Sequence, residues 1–169
     1  MNVFEYILTK LDLRDFNTEK NVPLDIKEKI FEAARSTGTA LNTQHWRFIM
    51  IEKKENLYKL AKYSTSGKWI SNSNFAIIVL TNPKYRFHLI DAGRALQNMQ
   101  IAAWSFGVGS GIFTGFHENK LRNDFNIPND LSITSILGFG YPINKTHHKK
   151  KNRLPLSELV YYEKYSETK

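Results

Sequence analysis

The pattern of apolar and polar positions along the chain predicts alternating helices and strands. Apolar residues at helical spacing predict five helices, at 2–11, 24–36, 54–63, 87–106 and 119–125. Unbroken apolar runs predict buried strands at 48–51 and 75–80. A further strand is predicted at 132–137, and the glycine-rich stretch 107–115 takes the place of another. The order α-α-β-α-β-α-β-α-β predicts the α+β fold class or a three-layer arrangement.

Local signals indicate where these elements begin and end. Asn2 is expected to cap the first helix, and Pro23 to be the first residue of the second, where its missing N–H would be unpaired anyway. Gly138–Pro142 is expected to turn the chain away after the last strand. The stretch 154–160 is too apolar for a free tail.

The longest predicted helix, 87–106, carries one apolar stripe at helical spacing. The stripe consists of Leu89, Ala92, Leu96, Met99, Ala103 and Phe106. Gly93 and Ala95 add small residues that permit a second helix to approach closely. This helix is therefore expected either at the centre of the fold or at a subunit interface.

Length and composition bound the class of protein. The 169 residues, 41% of them hydrophobic, suffice for one domain with a core, 1–169, in which 143–169 forms a basic loop and C-terminal extension. No apolar run approaches the roughly 20 residues that span a bilayer, and the N-terminus does not resemble a signal peptide. Because the chain has no cysteine, disulfides and thiolate chemistry are excluded, which fits a cytoplasmic location.

The net charge of +8 suits a partner with negative charge, such as a nucleic acid, an anionic surface or a phosphorylated cofactor. Five of the 24 lysine and arginine residues fall within nine positions: Lys145, Lys149, Lys150, Lys151 and Arg153. This run has three interpretations: a solvated loop, a nucleic-acid patch, or a phosphate clamp formed by Lys151 and Arg153 on one side of an extended backbone.

Several kinds of catalytic site are excluded by their motifs. The glycines of 107–115 do not match G-x-G-x-x-G and follow a helix, and no P-loop or G-x-S-x-G occurs. The stretch could expose backbone N–H groups to a ring or phosphate, or it could be a tight connection. None of the five histidines pairs with a carboxylate or another histidine at ligand spacing, so no metal site is predicted. If the protein is an enzyme, a bound cofactor carries the reactive atoms.

The chain is organised around the loop Gly38–Phe48, which joins the second helix to the first strand. Its amide and hydroxyl side chains suit a flat ligand with hydrogen-bonding groups, and Trp46 anchors it. The alternative is an ordinary polar connection whose tryptophan packs in the core.

Taken in order, these segments resemble the FMN-dependent nitroreductase family. The segments that carry the resemblance are Lys10–Phe16 for R-x-S-x-R-x-F, Gly38–Trp46 for P-S-x-x-N-x-Q-P-W, Asp91–Asn98 for D-x-G-x-A-x-Q-N, Gly107–Gly115 for G-L-G and a glycine-containing strand, and Gly140–Pro142 with Lys151–Leu156 for G-Y-P and K-x-R-x-P-L.

The resemblance implies a three-layer α+β fold with a mainly antiparallel central sheet flanked by helices, forming an intertwined homodimer with FMN at the subunit interface. The cofactor-binding positions it implies are Lys10, Leu11, Asp12, Arg14, Asn42, Gln44, Ile112, Phe113, Thr114, Gly115, Lys151 and Arg153. Leu41 and Thr114 would face the substrate. No side chain is assigned a catalytic role, since the flavin N5 would carry the chemistry, and no metal is implied.

The implied activity is ping-pong reduction of nitroaromatics, quinones or similar electron-poor acceptors with NADH or NADPH. Two departures from the family pattern bear on it. Asp12 replaces a serine, and its carboxylate would repel a phosphate unless a neighbouring cation pairs with it. Gly38 and His45 replace two prolines, which is expected to loosen the loop.

Three alternatives stay open on the sequence alone. The first is a flavin-binding or degenerate module of the same fold without reductase activity. The second is a basic nucleic-acid-binding protein, although a nucleic-acid partner is not favoured. The third lies within the enzyme class, since the family fold also serves dehalogenation and flavin fragmentation.

Overall fold

The computed structural model describes residues 2–144 and 151–165. Its helices are α1 (Val3–Thr9), α2 (Leu24–Arg35), α3 (Lys54–Tyr63), α4 (His88–Ser105), α5 (Glu118–Phe125) and α6 (Leu156–Leu159). Its strands are β1 (Arg47–Ile51), β2 (Phe75–Thr81), β3 (Gly109–Phe113) and β4 (Ser132–Gly140). From α1 to β4 the predicted order of elements is confirmed. None of the described helices combines the length and the hydropathy that crossing a membrane requires.

The strands form one antiparallel sheet in the order β1-β2-β4-β3. Every residue of β2 is buried, because helices cover both faces of the sheet. Alternate residues of β2 point to opposite faces: Ile77 packs with α2 and α4, whereas Ile78 packs with α3 and α5. The predicted three-layer α+β architecture with an antiparallel central sheet is confirmed.

Helix α4 lies at the centre of the layer that it shares with α2. Ala95, Met99 and Ala103 are fully buried against the sheet, as one of the two alternatives for this helix required. Leu89 and Phe106, at the two ends of the predicted apolar stripe, are exposed instead. Gly93 also lies on the exposed side, and a Cβ there would meet nothing within 4 Å.

Two predicted boundaries are wrong, and each has a local reason. Strand β4 runs through Gly138 to Gly140, because both glycines pair with β3 and a side chain at Gly138 would meet Ile70 Cδ1 at 2.5 Å. Pro23 is the extended N-cap of α2 and not its first residue, so the helix begins at Leu24. The cap at Asn2 is confirmed, with a capping box to Glu5.

Candidate functional site

The segment that follows α1 lies along β3 at the edge of the sheet. Asp12 forms a parallel bridge with Ser110, and the Leu13 N–H donates to the Ser110 carbonyl at 2.8 Å. Gly111 permits this approach, since a Cβ at that position would collide with the Leu13 carbonyl oxygen. The glycines that attracted attention in the sequence therefore bring the N-terminal segment against β3. The alternative of freely exposed N–H groups does not hold for 109–113, which pairs with β4.

Lys10 and Asp12 form an ion pair at the start of this segment. Lys10 is 8% exposed, and its Nζ lies 2.6 Å from Asp12 Oδ1. The same carboxylate oxygen accepts a hydrogen bond of 3.2 Å from Gln100 Nε2 on α4, which also donates to Ser110 Oγ at 3.2 Å. Asp12 thus has the neighbouring cation that the sequence analysis required of it.

Two further cations join this pair from the other end of the chain. Lys151 Nζ donates to the Ile7 carbonyl at 2.9 Å, at the end of α1. Burial, followed by the positive charges of Arg153 and Lys10, lowers the pKa of Lys151, and Asp12 opposes that shift. We call Lys10, Lys151 and Arg153 the basic group. The rest of the predicted basic run, Lys145, Lys149 and Lys150, lies outside the described residues.

Arg14 and Leu11 are the other predicted cofactor-binding residues of this segment, and neither is part of the basic group. Arg14 is exposed and lines a cleft of about 340 Å³ with 12–15 and 142–144. It is not among the charges that shift the pKa of Lys151. Leu11 is half-buried. Arg14 lines the same cleft as Asp12 and is therefore placed to meet a ligand that enters it.

The predicted ring-binding residues at the end of β3 differ in what they present. Ile112 is half-buried and Thr114 is exposed, so both side chains can be reached. Phe113 is buried with its ring edge-on to Trp69 at 5.9 Å, so it offers a ligand only its backbone. Gly115 lies against Thr65, whose N–H donates to the Gly115 carbonyl at 2.8 Å.

The loop Gly38–Phe48 has an unusual backbone. Leu41, Asn42 and Gln44 all have positive φ, at 54°, 51° and 45°. Leu41 is 90% exposed, which is an unfavourable position for an apolar side chain in a left-handed conformation. Gln44 Nε2 donates to Asn42 Oδ1 at 3.1 Å. Asp91 binds the residues on either side of these three, Ala40 and His45.

Asp91, in the first turn of α4, binds this loop through two hydrogen bonds. Its Oδ2 accepts hydrogen bonds from the Ala40 N–H at 3.2 Å and from His45 Nε2 at 3.3 Å. The side chains of His45 and Asp91 are 1% and 2% exposed. The expectation that His45 loosens the loop is therefore wrong, because the histidine is a buried anchor packed against Trp46 and Tyr85.

Asp91 and Gln100, both on α4, separate the predicted site residues into two groups. Nine residues of helix place their Cα atoms about 13 Å apart along the axis. One end of α4 holds the loop with Leu41, Asn42 and Gln44, and the other end holds Asp12 and, through it, Lys10. Helix α4 therefore holds the loop and the Asp12 segment at a fixed spacing.

Sequence reasoning missed His45, Asp91, Gln100 and Ser110 as parts of the site. The available signal was weak: Gln100 is a polar residue one position beyond Met99 of the apolar stripe, and it is 5% exposed. Within the described residues, no three histidine or acidic side chains come close enough to bind a metal ion.

Comparison with known proteins matches the nitroreductase family model over residues 10–72 and 66–141. A protein of Archaeoglobus fulgidus, provisionally named NADH dehydrogenase/NAD(P)H nitroreductase, is 32% identical over 145 residues, which are 80% of this chain and 83% of the relative. A protein of the same provisional name from Methanothermobacter thermautotrophicus is 30% identical over 151 residues, or 84% and 78% of the two chains.

Solved structures match over almost the whole length. A nitroreductase family protein of Clostridium difficile 630 is 27% identical, with a TM-score of 0.87 over 98% of this chain and 100% of the other. An FMN-dependent nitroreductase of Clostridium difficile R20291, at 20% identity, shares the fold with a TM-score of 0.87 over 96% and 99% of the two chains. The resemblance drawn from the sequence motifs is confirmed: this chain belongs to the nitroreductase family and has its fold.

Proposed function

We propose that the protein is an FMN-dependent oxidoreductase that uses NADH or NADPH to reduce nitroaromatics, quinones or similar electron-poor acceptors. The observation that carries this proposal is the basic group around Asp12 at the edge of β3. The names of the relatives point the same way, because two are provisionally NAD(P)H nitroreductases and one structural neighbour is named FMN-dependent.

The charges of this group fit a phosphate monoester. Three cations against one carboxylate leave two net positive charges, which match the roughly two negative charges of the phosphate. Burial, and after it the positive charges of Arg153 and Lys10, lower the pKa of Lys151, so a negative charge beside it would be favourable. A phosphate beside Lys151 and Arg153 would supply one, so the residues present suit the cofactor's anionic end.

The remaining residues would hold and orient the ring. When bound, the flavin supplies the redox chemistry, accepting a hydride from NAD(P)H and passing electrons to the acceptor in a ping-pong reaction. Ile112 and Thr114 would offer an apolar and a polar contact to the ring, and the backbone at Gly115 would approach its reactive edge. Arg14, in the cleft beside 142–144, would place a positive charge where reduction adds negative charge.

We further propose that a second copy of the chain completes each site. Asp91, which binds the loop that carries Leu41, Asn42 and Gln44, lies about 13 Å along α4 from Gln100, which binds Asp12. This spacing favours use of the loop in a partner's site. The exposed apolar side chains of α1, α4 and α6, among them Phe4, Ile90 and Leu156, fit a surface buried in a homodimer. One FMN-binding domain over 1–169, its extension at 143–169 and a cytoplasmic location belong to the same proposal.

The test is the visible absorption spectrum of the protein purified without added cofactor, repeated with NADH or NADPH under nitrogen. We expect flavin bands that bleach when the nicotinamide is added. A colourless protein that also fails to take up FMN would refute the proposal. Retained flavin that neither nicotinamide reduces would favour the module without reductase activity.

A further inference from the structure

Asp12 supplies the negative charge beside the basic group that a bound anion would also supply. Its Oδ1 is the acceptor for the buried ammonium of Lys10 at 2.6 Å, and its charge acts on Lys151 as well. The Asp12 side chain is 60% exposed, whereas that of Lys10 is 8% exposed. The carboxylate therefore reaches the buried cation from the solvent side, the side from which a phosphate would also approach.

We propose that Asp12 is a built-in counter-ion that competes with the FMN phosphate for the basic group and so makes the cofactor exchangeable. This inference rests on the proposed function, because it concerns the affinity of the site assigned there to FMN. It assigns to Asp12 a role opposite to that of an ordinary ligand-binding residue: removal of its charge tightens cofactor binding.

The free protein needs this counter-ion. A buried ammonium without a partner is strongly unfavourable, and Lys10 has Asp12 as its ion-pair partner within the described residues. After burial, the main causes of the lowered pKa of Lys151 are the positive charges of Arg153 and Lys10, and Asp12 opposes them. Asp12 thus stabilises the protein when the phosphate position is empty.

In the FMN-bound protein the same carboxylate is unfavourable, because it repels the phosphate. A phosphate beside Lys10 must share the ammonium with Asp12 or displace it, and the two anions repel. Gln100 keeps Asp12 in place, yet its Nε2 retains Ser110 Oγ as a second acceptor if the carboxylate turns away. The balance between the two anions then determines how readily the cofactor leaves.

The experiment compares Asp12→Asn with Asp15→Asn in the full chain. Asp15 is a matched control: it is exposed, it lines the same cleft, and it forms no ion pair with a described residue. FMN affinity is measured by quenching of flavin fluorescence. Asp12→Asn is expected to lower the Kd about tenfold, the effect of one charged interaction, and Asp15→Asn to change it less than about threefold.

A second readout uses no flavin. Inorganic phosphate is added to the cofactor-free proteins, and the rise in melting temperature is recorded. We expect Asp12→Asn to melt below the wild type without phosphate and to gain more from phosphate than the wild type does. This readout tests the counter-ion independently of ring binding.

The outcomes separate the two ideas. If the wild type binds FMN and Asp12→Asn binds it equally or more weakly, the counter-ion inference is overturned and the proposed function stands. If the wild type does not bind FMN, the proposed function fails, and the phosphate readout alone decides the role of Asp12. If neither Asp12→Asn nor Asp12→Ser folds, the residue is required for folding rather than for exchange, which also overturns the inference.

Discussion

The tether between Asp91 and the loop Gly38–Phe48 yields a prediction whose size can be worked out from the structure. Asp91→Ala removes two hydrogen bonds, one to the Ala40 N–H and one to His45 Nε2. The imidazole then has both nitrogens buried without partners, because Nδ1 already lacks one among the described residues. A buried donor left unpaired costs about 1–3 kcal/mol, so the two losses together should lower the free energy of unfolding by about 2–4 kcal/mol.

The measurement is urea unfolding of the two proteins, accompanied by hydrogen exchange of the loop amides. A loss of this size is a large fraction of a typical stability of about 5–15 kcal/mol, so the midpoint should fall clearly. Exchange should accelerate at Leu41, Asn42 and Gln44, since positive φ at three residues depends on the tether.

Arg94→Ala is the matched control, because it removes the other charged partner of Asp91. Arg94 is 54% exposed and its Nη1 lies 3.7 Å from Asp91 Oδ1, so its loss should cost below about 1 kcal/mol. A double-mutant cycle of Asp91→Ala with His45→Ala should give a coupling energy of at least about 0.5 kcal/mol. Equal costs for Asp91→Ala and Arg94→Ala, or a coupling energy of zero, would refute the tether.

Three further predictions address the basic group and the dimer. Arg153→Ala should weaken FMN binding by about 1.5–3 kcal/mol, measured by equilibrium dialysis, and an unchanged Kd would remove the phosphate from this position. FMN affinity should fall as the pH rises towards the ordinary lysine pKa of about 10.4, because a lysine whose pKa is lowered loses its proton, and its attraction for phosphate, at a lower pH than an ordinary lysine does. Lys151→Arg, which stays charged, should flatten that pH profile, and an identical profile would exclude Lys151 as its source. Gly93→Ala should favour the helix of an isolated protomer by about 0.5–1 kcal/mol but weaken a dimer packed on this face, so sedimentation equilibrium should show more monomer, and unchanged association would place the interface elsewhere.

The fold could be predicted largely because its signals are local. The continuous apolar run of β2 and the repeating small and apolar residues of α4 each follow from the period of one element. The ion pair of Asp12 with Lys10 could also be anticipated, because the two residues are two positions apart and a phosphate site beside Asp12 requires a neighbouring cation.

The contacts that organise the site could not be predicted in the same way. His45 and Asp91 are 46 positions apart, and Gln100 and Asp12 are 88 positions apart. Whether such residues meet depends on how helices pack on the sheet, which periodicity along one element does not encode. The end of β4 was predicted wrongly for a related reason. The sequence shows that residue 138 is a glycine, but it does not show that the Ile70 side chain packs against it.

Helix α4 fixes the spacing between two polar anchors, Asp91 at the loop Gly38–Phe48 and Gln100 at Asp12. Because each helical residue advances about 1.5 Å and turns about 100°, one residue inserted between Asp91 and Gln100 would swing one end a quarter of a circle away from its loop. All the hydrogen-bonding side chains would still be present, but Asp91 and Gln100 would no longer both face the segments that they bind. The number of residues between Asp91 and Gln100 is therefore as important to this arrangement as the identity of the two side chains.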